Sequence, residues 1–420
     1  MLETSPLRLT TFRHLAAAYT INELGNWIGA VALAILVFDR TGSALATAAL
    51  FVGLRFVPAL LAPLFTTRVE VFPVGRVLPV IYLAEAAIFA AIAWLANRFS
   101  LPAVLVLAAL DGILAITSQA LTRSATVAAL GPADRLRQGN AILNLGFTTA
   151  GAAGPAIAGL LVAAEGAGPA LALDAISFVA VAVVVATARG LRIEANPEAT
   201  SFGRLRAGLR EVRHRPTVRR LLGGAAAALL FGAAVIPIEV VFAKRTLHAG
   251  DLGYGLLIAA WGAGMILGGA GFAWAARIRL AVVVAAGMAL IVGGYAGLAA
   301  SPDLAIACAF SAVGGIGNGV WWIAVVTGVQ QGIPAEVQSA VMAVLASVNQ
   351  LMPALGFVMG GVVTALSSPR AAYGLAAGGV GLVLLFTLAR PVREIDNRIP
   401  VDEPEPVREI DNQIALEEPL

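Results

Sequence analysis

Cysteine occurs once in 420 residues, at Cys308, which excludes an internal disulfide framework and, on its own, a thiolate metal cluster. Histidine is almost as scarce: His14, His214 and His248 are scattered and never at ligand spacing. Charge is thin, 13% of residues with a net +3. There is no P-loop to cradle phosphate, no HExxH and no GxSxG element. The glycine-rich runs Gly262-Ala263-Gly264 and Gly268-Gly269 fall in apolar stretches without the strand that a dinucleotide site requires. The residues therefore offer no catalytic centre, no resident metal and no cofactor, and an enzyme is not expected.

Apolar sequence is what the chain has in abundance, at 59% of residues. Apolar runs cover residues 15–38, 44–65, 77–96, 101–122, 140–163 and 171–188, then 221–242, 252–275, 280–299, 304–329, 340–366 and 371–388. Each is close to the ~20 residues that carry a helix across the hydrocarbon core. The expected fold class is an all-α integral membrane protein of twelve helices in two six-helix halves. Residues 1–188 form the first half, 189–220 an arginine-rich connector, 221–390 the second half, and 391–420 a polar tail. The tail repeats Pro391-Val392-Arg393-Glu394-Ile395-Asp396-Asn397 as Pro406-Val407-Arg408-Glu409-Ile410-Asp411-Asn412, a composition expected to be disordered.

The two halves echo each other. Residues 140–163 form a glycine-studded span with a Gly154-Pro155 step, and a similar pattern returns 202 residues later. Gly154 becomes Gly356, and Ala158-Gly159 becomes Gly360-Gly361. Small residues let helix backbones approach closely in a membrane, and neighbouring helices can satisfy what proline frees.

Alternate loops hold 22 basic residues against 5, with Arg55 inside a span. Basic residues favour the cytoplasmic side, so both termini are expected there, in a bacterial-type inner (plasma) membrane. The connector arginines are explained by this topology and by anionic headgroups, so nucleic acid is not an expected partner.

Several stretches together point to a known family: Thr41-Gly42-Ser43-Ala44-Leu45, Arg55-Phe56-Val57-Pro58, Arg123-Ser124-Ala125, Leu136 with Asn140-Ala141, and Ala175-Ile176-Ser177-Phe178. On these the chain resembles the major facilitator superfamily of transporters over about residues 8–390. Within it, the likeness is to the enterobactin-exporter and macrolide-efflux branch. The resemblance implies two pseudo-symmetric halves, a small-molecule substrate, alternating access and a monomer.

Gly154, Pro155 and Gly159 also resemble the family's fifth-helix antiporter motif, with Gly146 and Gly151 near its earlier glycines. The motif implies export; ordinary glycine-mediated helix packing is the plainer account. The family's inner-gate loop would fall on Arg68, Glu70, Gly75 and Arg76, with Arg123 after the fourth span; with a two-residue slip Glu70 takes the place of the motif's acid, without its arginine neighbour. Phe72-Pro73 stands where that motif has Asp-Arg, so its charge pairing is not carried over intact.

Ionisable residues inside a span cost about 2.5–3.5 kcal/mol on insertion scales and are functional candidates by default. A carboxylate in low dielectric can serve as a proton carrier near neutral pH, which makes Glu23, Asp111 and Glu85 the proton-coupling candidates. Asn26 stands where the branch commonly has an acid, with Glu23 nearly one turn earlier. Arg55 is expected to pair with one of these acids. Asp174, near a helix start, and Glu239, near a helix end, are expected to be structural. In the second half Asn318, Trp321, Trp322, Asn349 and Gln350 bring polar and aromatic groups into apolar helices, a lining suited to an amphiphile. For the tryptophans an interfacial aromatic belt is the alternative.

The expected function is a secondary active transporter exporting an amphipathic small molecule, drug-like or siderophore-like, in exchange for protons from the proton gradient. The partners are that substrate and the lipid bilayer. An importer or lipid-flipping member of the fold, and a non-transporting sensor or scaffold, are the alternatives.

Overall fold

The computed structural model describes residues 6–69, 72–131, 133–187, 201–274 and 278–389. Glu70, the connector segment 189–200 and the tail 391–420 lie outside these residues.

The first half contains α1 (Thr10–Thr41), α2 (Ala44–Val69), α3 (Val74–Leu95), α4 (Leu101–Leu130), α5 (Ala133–Glu165) and α6 (Ala167–Thr187). The connector forms α7 (Ser201–His214), and α8 (Pro216–Ala233) opens the second half. Arg215 lies between them in extended geometry, where the following proline disfavours helix. After α8 the span is irregular. A 3₁₀ turn at Ile236–Ile238 leads into the short α9 (Glu239–Val241) and then a π-helical turn at Phe242–Thr246. The chain ends with α10 (Gly250–Trp274), α11 (Leu280–Ala300), α12 (Leu304–Gln331), α13 (Ala335–Leu366) and α14 (Pro369–Ala389). Among the described residues, twelve segments are long and apolar enough to cross a membrane. An even number places Pro6 and Ala389 on one face, called here the terminal face; the opposite one is the far face.

The spans carry apolar residues on their outward surfaces, such as Leu145, Ile176, Leu366 and Leu382, as lipid contact demands. Turns at the far face are tied by arginine. Arg40 donates to the Ala96 carbonyl over 2.5 Å, and Arg370 donates to Ala299 (2.7 Å) and Ser301 (2.8 Å). Each arginine thus satisfies carbonyls left free at a helix C-terminus. At Gly42 the backbone turns left-handed (φ 60°) to close α1, its N–H bonding Phe38 O over 2.7 Å.

The halves meet along two helix pairs, α5 on α10 and α2 on α13. In α5, Gly154 faces α1 of its own half: a Cβ there would lie 2.7 Å from Trp27 Cβ. One turn on, Gly159 faces the other half, where a Cβ would lie 2.8 Å from the Asp251 carbonyl and 3.1 Å from Gly255 Cα. The counterparts 202 residues later repeat the division. Gly356 packs on Leu230 and Ala233 of α8, and Gly361 on Ala48 of α2, 2.7 Å from a would-be Cβ. The duplication visible in sequence is thus a duplication of interface geometry.

Proline sharpens these contacts. Pro155 has no N–H for the carbonyl four residues earlier, which is Gly151 O. That oxygen faces Gly262 of α10, 2.6 Å from where a Cβ would be, a contact possible only with a Cα–H partner. Pro58 likewise frees Leu54 O, which faces Gly112 of α4 at 2.7 Å on the same measure. α7 lies against α13, with Gly208 on the Ala340 carbonyl. It presents Arg206, Arg210 and Arg213 outward, in keeping with a helix at a headgroup surface.

Candidate functional site

Three constellations of polar side chains interrupt the apolar bundle. The first surrounds Glu23, which is buried in α1. Tyr19, one turn earlier on α1, Arg55 of α2 and Arg123 of α4 all lie within electrostatic reach of its carboxylate. Arg55 of α2 and Arg123 of α4 carry exposed surface, so cations from two other helices stand opposite this acid. The structure thus brings Glu23 and Arg55 together. It also moves Arg123 from the inner-loop group into this one. Asn26 lies half-buried one turn further along α1.

The second constellation lies deeper in the same half. Glu85 of α3, Asp111 of α4 and Asp174 of α6 are 1%, 7% and 1% exposed. They lie within electrostatic reach of one another. Ser118 Oγ donates to Glu85 Oε1 over 3.5 Å, and Ser177 Oγ to Asp174 Oδ1 over 3.1 Å. Each of the three acids also has one buried oxygen with no hydrogen-bond partner. Asp174, expected to be a bland acid near a helix start, is instead fully enclosed. Its carboxylate lies on Gly25 and Gly29 of α1, where either Cβ would collide with it. Sequence carried one sign of this: two α1 glycines four residues apart, which clear one face of the helix.

The third constellation bridges the halves at the far face. Lys244, the chain's one lysine, lies between Asp39 of α1 and Asp251 of α10, the latter at 2.6 Å. Arg245 beside it donates to the Gly42 carbonyl over 2.8 Å and stacks on Phe38, 5.0 Å from the ring centroid. The π-helical turn places both cations on the same end. Sequence reading counted these two residues only as far-side charges; nothing in the spacing of Asp39, Lys244 and Asp251 links them.

The second-half candidates separate. Trp321 is 5% exposed, with its Cβ and amide 2.9 Å from where a Gly287 Cβ would be. It packs between α11 and α12. Trp322 is half-buried, its ring centroid 6.1 Å from that of Trp321. Asn318 is half-buried on α12, Gln350 half-buried on α13, and Asn349 exposed. Glu239, at the break after α8, is half-buried, with Tyr254, Tyr295 and Tyr373 within electrostatic reach.

Of the α5 glycines, Gly146 packs on Thr20 and Gly151 on the Trp27 indole (3.4 Å). With Gly154, Pro155 and Gly159 they make α5 a strip between α1 and α10. Arg68 ends α2 and Arg76 opens α3, both exposed, with Gly75 half-buried beside Arg76. Arg68 also borders an apolar crevice of about 430 Å³ among α2, α3 and α4, lined by Leu61, Leu64, Phe65, Ile88 and Leu110. That crevice belongs to the first half alone, not to the second-half residues expected to receive an amphiphile. Among the described residues, no three His, Cys, Asp or Glu side chains converge as metal ligands.

The bundle and its inter-half contacts define a membrane transporter of the major facilitator kind. The family described as "Transmembrane secretion effector" (MFS_3) matches residues 2–416, so the chain belongs to it. No curated protein sequence matches. Among solved structures, a point mutant of the nucleoside transporter NupG superposes with a TM-score of 0.76 at 12% identity, covering 90% of this chain and 99% of the other. A bacterial homologue of the iron transporter ferroportin in an inward-facing state gives 0.67 at 13% identity, covering 90% and 98%. A bacterial homolog of the human lysosomal transporter Spinster, inward-facing and unoccupied, gives 0.66 at 15%, covering 90% and 94%. At such identities the likeness is one of fold.

Proposed function

We propose that this protein is a secondary active exporter of amphipathic small molecules, drug-like or siderophore-like, driven by proton antiport. The observation that carries the reading is the pairing of a far face tied across the halves with an acid and arginines facing one another inside the first half. Lys244 and Arg245 bind the halves at the far face. Glu23, with Tyr19, Arg55 and Arg123, presents a titratable group within the first half. An acid held among exposed arginines can alternate between them and a proton, which makes it a coupling residue. Asp111 and Glu85 are the further carboxyl groups of that half, and the second half supplies Asn318, Trp322, Asn349 and Gln350 to an amphiphile. The halves rock on the glycine strips of α5 and α13, exposing the substrate path to each side in turn. The protein works as a monomer in the bacterial inner membrane with both termini cytoplasmic, without a cofactor.

The test is efflux of a fluorescent amphiphilic cation from proteoliposomes of known orientation, with and without a pH gradient. Wild type is expected to move dye only with the gradient, and Glu23→Gln to abolish that dependence. Gradient-independent movement would remove proton coupling. Net movement toward the terminal face would favour the import reading.

A further inference from the structure

The buried acids of the first half do not stand alone. On α4, Asp111, Ser118, Thr122 and Thr126 are spaced by seven, four and four residues, which puts them on one stripe of the helix. On α3, Tyr82 and Glu85 lie one turn apart against that stripe. The Tyr82 hydroxyl is 3.2 Å from Thr122 Oγ1, and Ser118 lies one turn from Thr122 on the same stripe of α4, within electrostatic reach of Tyr82. Ser118 Oγ in turn reaches Glu85 Oε1 at 3.5 Å. Ser118, Tyr82, Thr122 and Thr126 are all nearly inaccessible, at 1%, 2%, 4% and 1%.

From Thr126 to Asp111 is fifteen residues of helix, roughly 22 Å at 1.5 Å per residue, most of the ~30 Å hydrocarbon core. The hydroxyls lie on the terminal-face side of Asp111, and Asp174, seven residues into α6, lies nearer the far face. We propose that Glu85, Asp111 and Asp174 form a proton-binding site separate from Glu23. The hydroxyl string Thr122–Tyr82–Ser118 is its proton path to the terminal face.

Three observations support this. Each acid keeps a buried oxygen without a partner, and an unpaired buried charge is costly. Among the described residues, the groups acting on the three carboxyls are one another and the two serines, with no arginine, lysine or histidine. From α1 the neighbouring titratable group is Glu23, which acts on Tyr82 and has Arg55 and Arg123 beyond it; from α3 it is Tyr82 itself. Finally, Glu85 is joined through Ser118 Oγ (3.5 Å) to the hydroxyl stripe of α4, so a proton taken up there has a neighbour to pass it on. A hydroxyl passes a proton by donating its own onward as it accepts another, so the string moves charge with no net chemistry and no redox partner.

This inference deepens the proton-coupled reading and rests on it, but its test needs no substrate. Full-length protein in liposomes is followed by infrared difference spectroscopy in the carboxyl C=O region after a pH jump on the terminal face. Wild type is expected to show a carboxyl band that follows the jump. Measured in a Glu23→Gln background, which removes that acid's own contribution, Glu85→Gln and Asp174→Asn are expected to lose part of the remaining band. Tyr82→Phe, which removes one hydroxyl and leaves the ring packing, is expected to keep the band and slow its response about 10²-fold, the scale for losing a positioned proton-transfer group. A Tyr82→Phe response as fast as wild type overturns the path. A band unchanged in both acid variants overturns the site. Failure of the dye experiment with these signatures intact removes the exporter and leaves the proton site standing.

Discussion

At the scale of single residues, the positions with least freedom are glycines pressed against another chain segment. Gly29 leaves room for the Asp174 carboxylate, so Gly29→Leu must displace either the acid or α1. Overpacking of this kind costs about 1–3 kcal/mol, and the variant is expected to unfold at lower temperature in detergent and to lose the Asp174-dependent infrared band. Gly223 of α8 has no atom within 4 Å of a would-be Cβ. Gly223→Ala is therefore expected to match or slightly exceed wild-type thermal stability, by up to about 1 kcal/mol from backbone entropy. The same melting experiment on the two variants separates packing from helix propensity; equal destabilisation of both would contradict the assigned contacts.

At the scale of elements, α5 and α13 each divide their glycines between their own half and the other. Gly154 and Gly356 hold the helix within its half, while Gly159 and Gly361 meet the partner half. Gly159→Val and Gly361→Val are accordingly expected to impair transport by the same route, opening the far face. Cysteines placed at Ser43 and His248 in a Cys308→Ser background read this out: a membrane-impermeant thiol reagent should label them faster in either variant than in the parent. Unchanged labelling would mean that the strips only pack and do not govern closure.

Sequence periodicity revealed these two helices because a glycine pattern repeated at a fixed offset is local information. The Pro155–Gly151–Gly262 and Pro58–Leu54–Gly112 contacts were not legible, since the carbonyl that proline frees can face any neighbour. The break after α8 was hidden in part. Pro237 is its one local sign, since proline cannot continue the α ladder, while nothing in the apolar residues around it marks the π turn at Phe242–Thr246.

At the scale of the whole molecule, the Lys244 bridge is, with the Arg245 contacts beside it, a charge contact that must part if the halves rock at the far face. Asp39 belongs to one half, whereas Lys244 and Asp251 belong to the other, so opening breaks one contact and keeps one. The pair is partly exposed, at 20% and 44% of side-chain area, and such ion pairs are worth about 0.2–1 kcal/mol. Lys244→Ala should thus shift the closed-to-open ratio by at most about five-fold. Spin-label distances across the far face are expected to show a larger open fraction, with the folded yield unchanged. A distance distribution identical to wild type would deny the bridge a part in closure. Topology is checked at the same scale: a reporter fused after Leu420 should be active only in the cytoplasm.

Composition and pattern alone determined that this chain is a bundle of twelve membrane spans in two related halves. Apolar runs of spanning length and a repeated glycine strip are properties of neighbours along the chain, and no tertiary contact is needed to see them. They also singled out Glu23, Asp111 and Glu85, because an acid in an apolar run is conspicuous wherever it points. What surrounds each acid was decided by the fold. Glu23 met two arginines from other helices, Asp174 was enclosed by glycines of α1 far away in sequence, and Lys244 was drawn between acids of opposite halves. Charge partners in an apolar medium are chosen by which helices pack together, and that choice exists only in three dimensions.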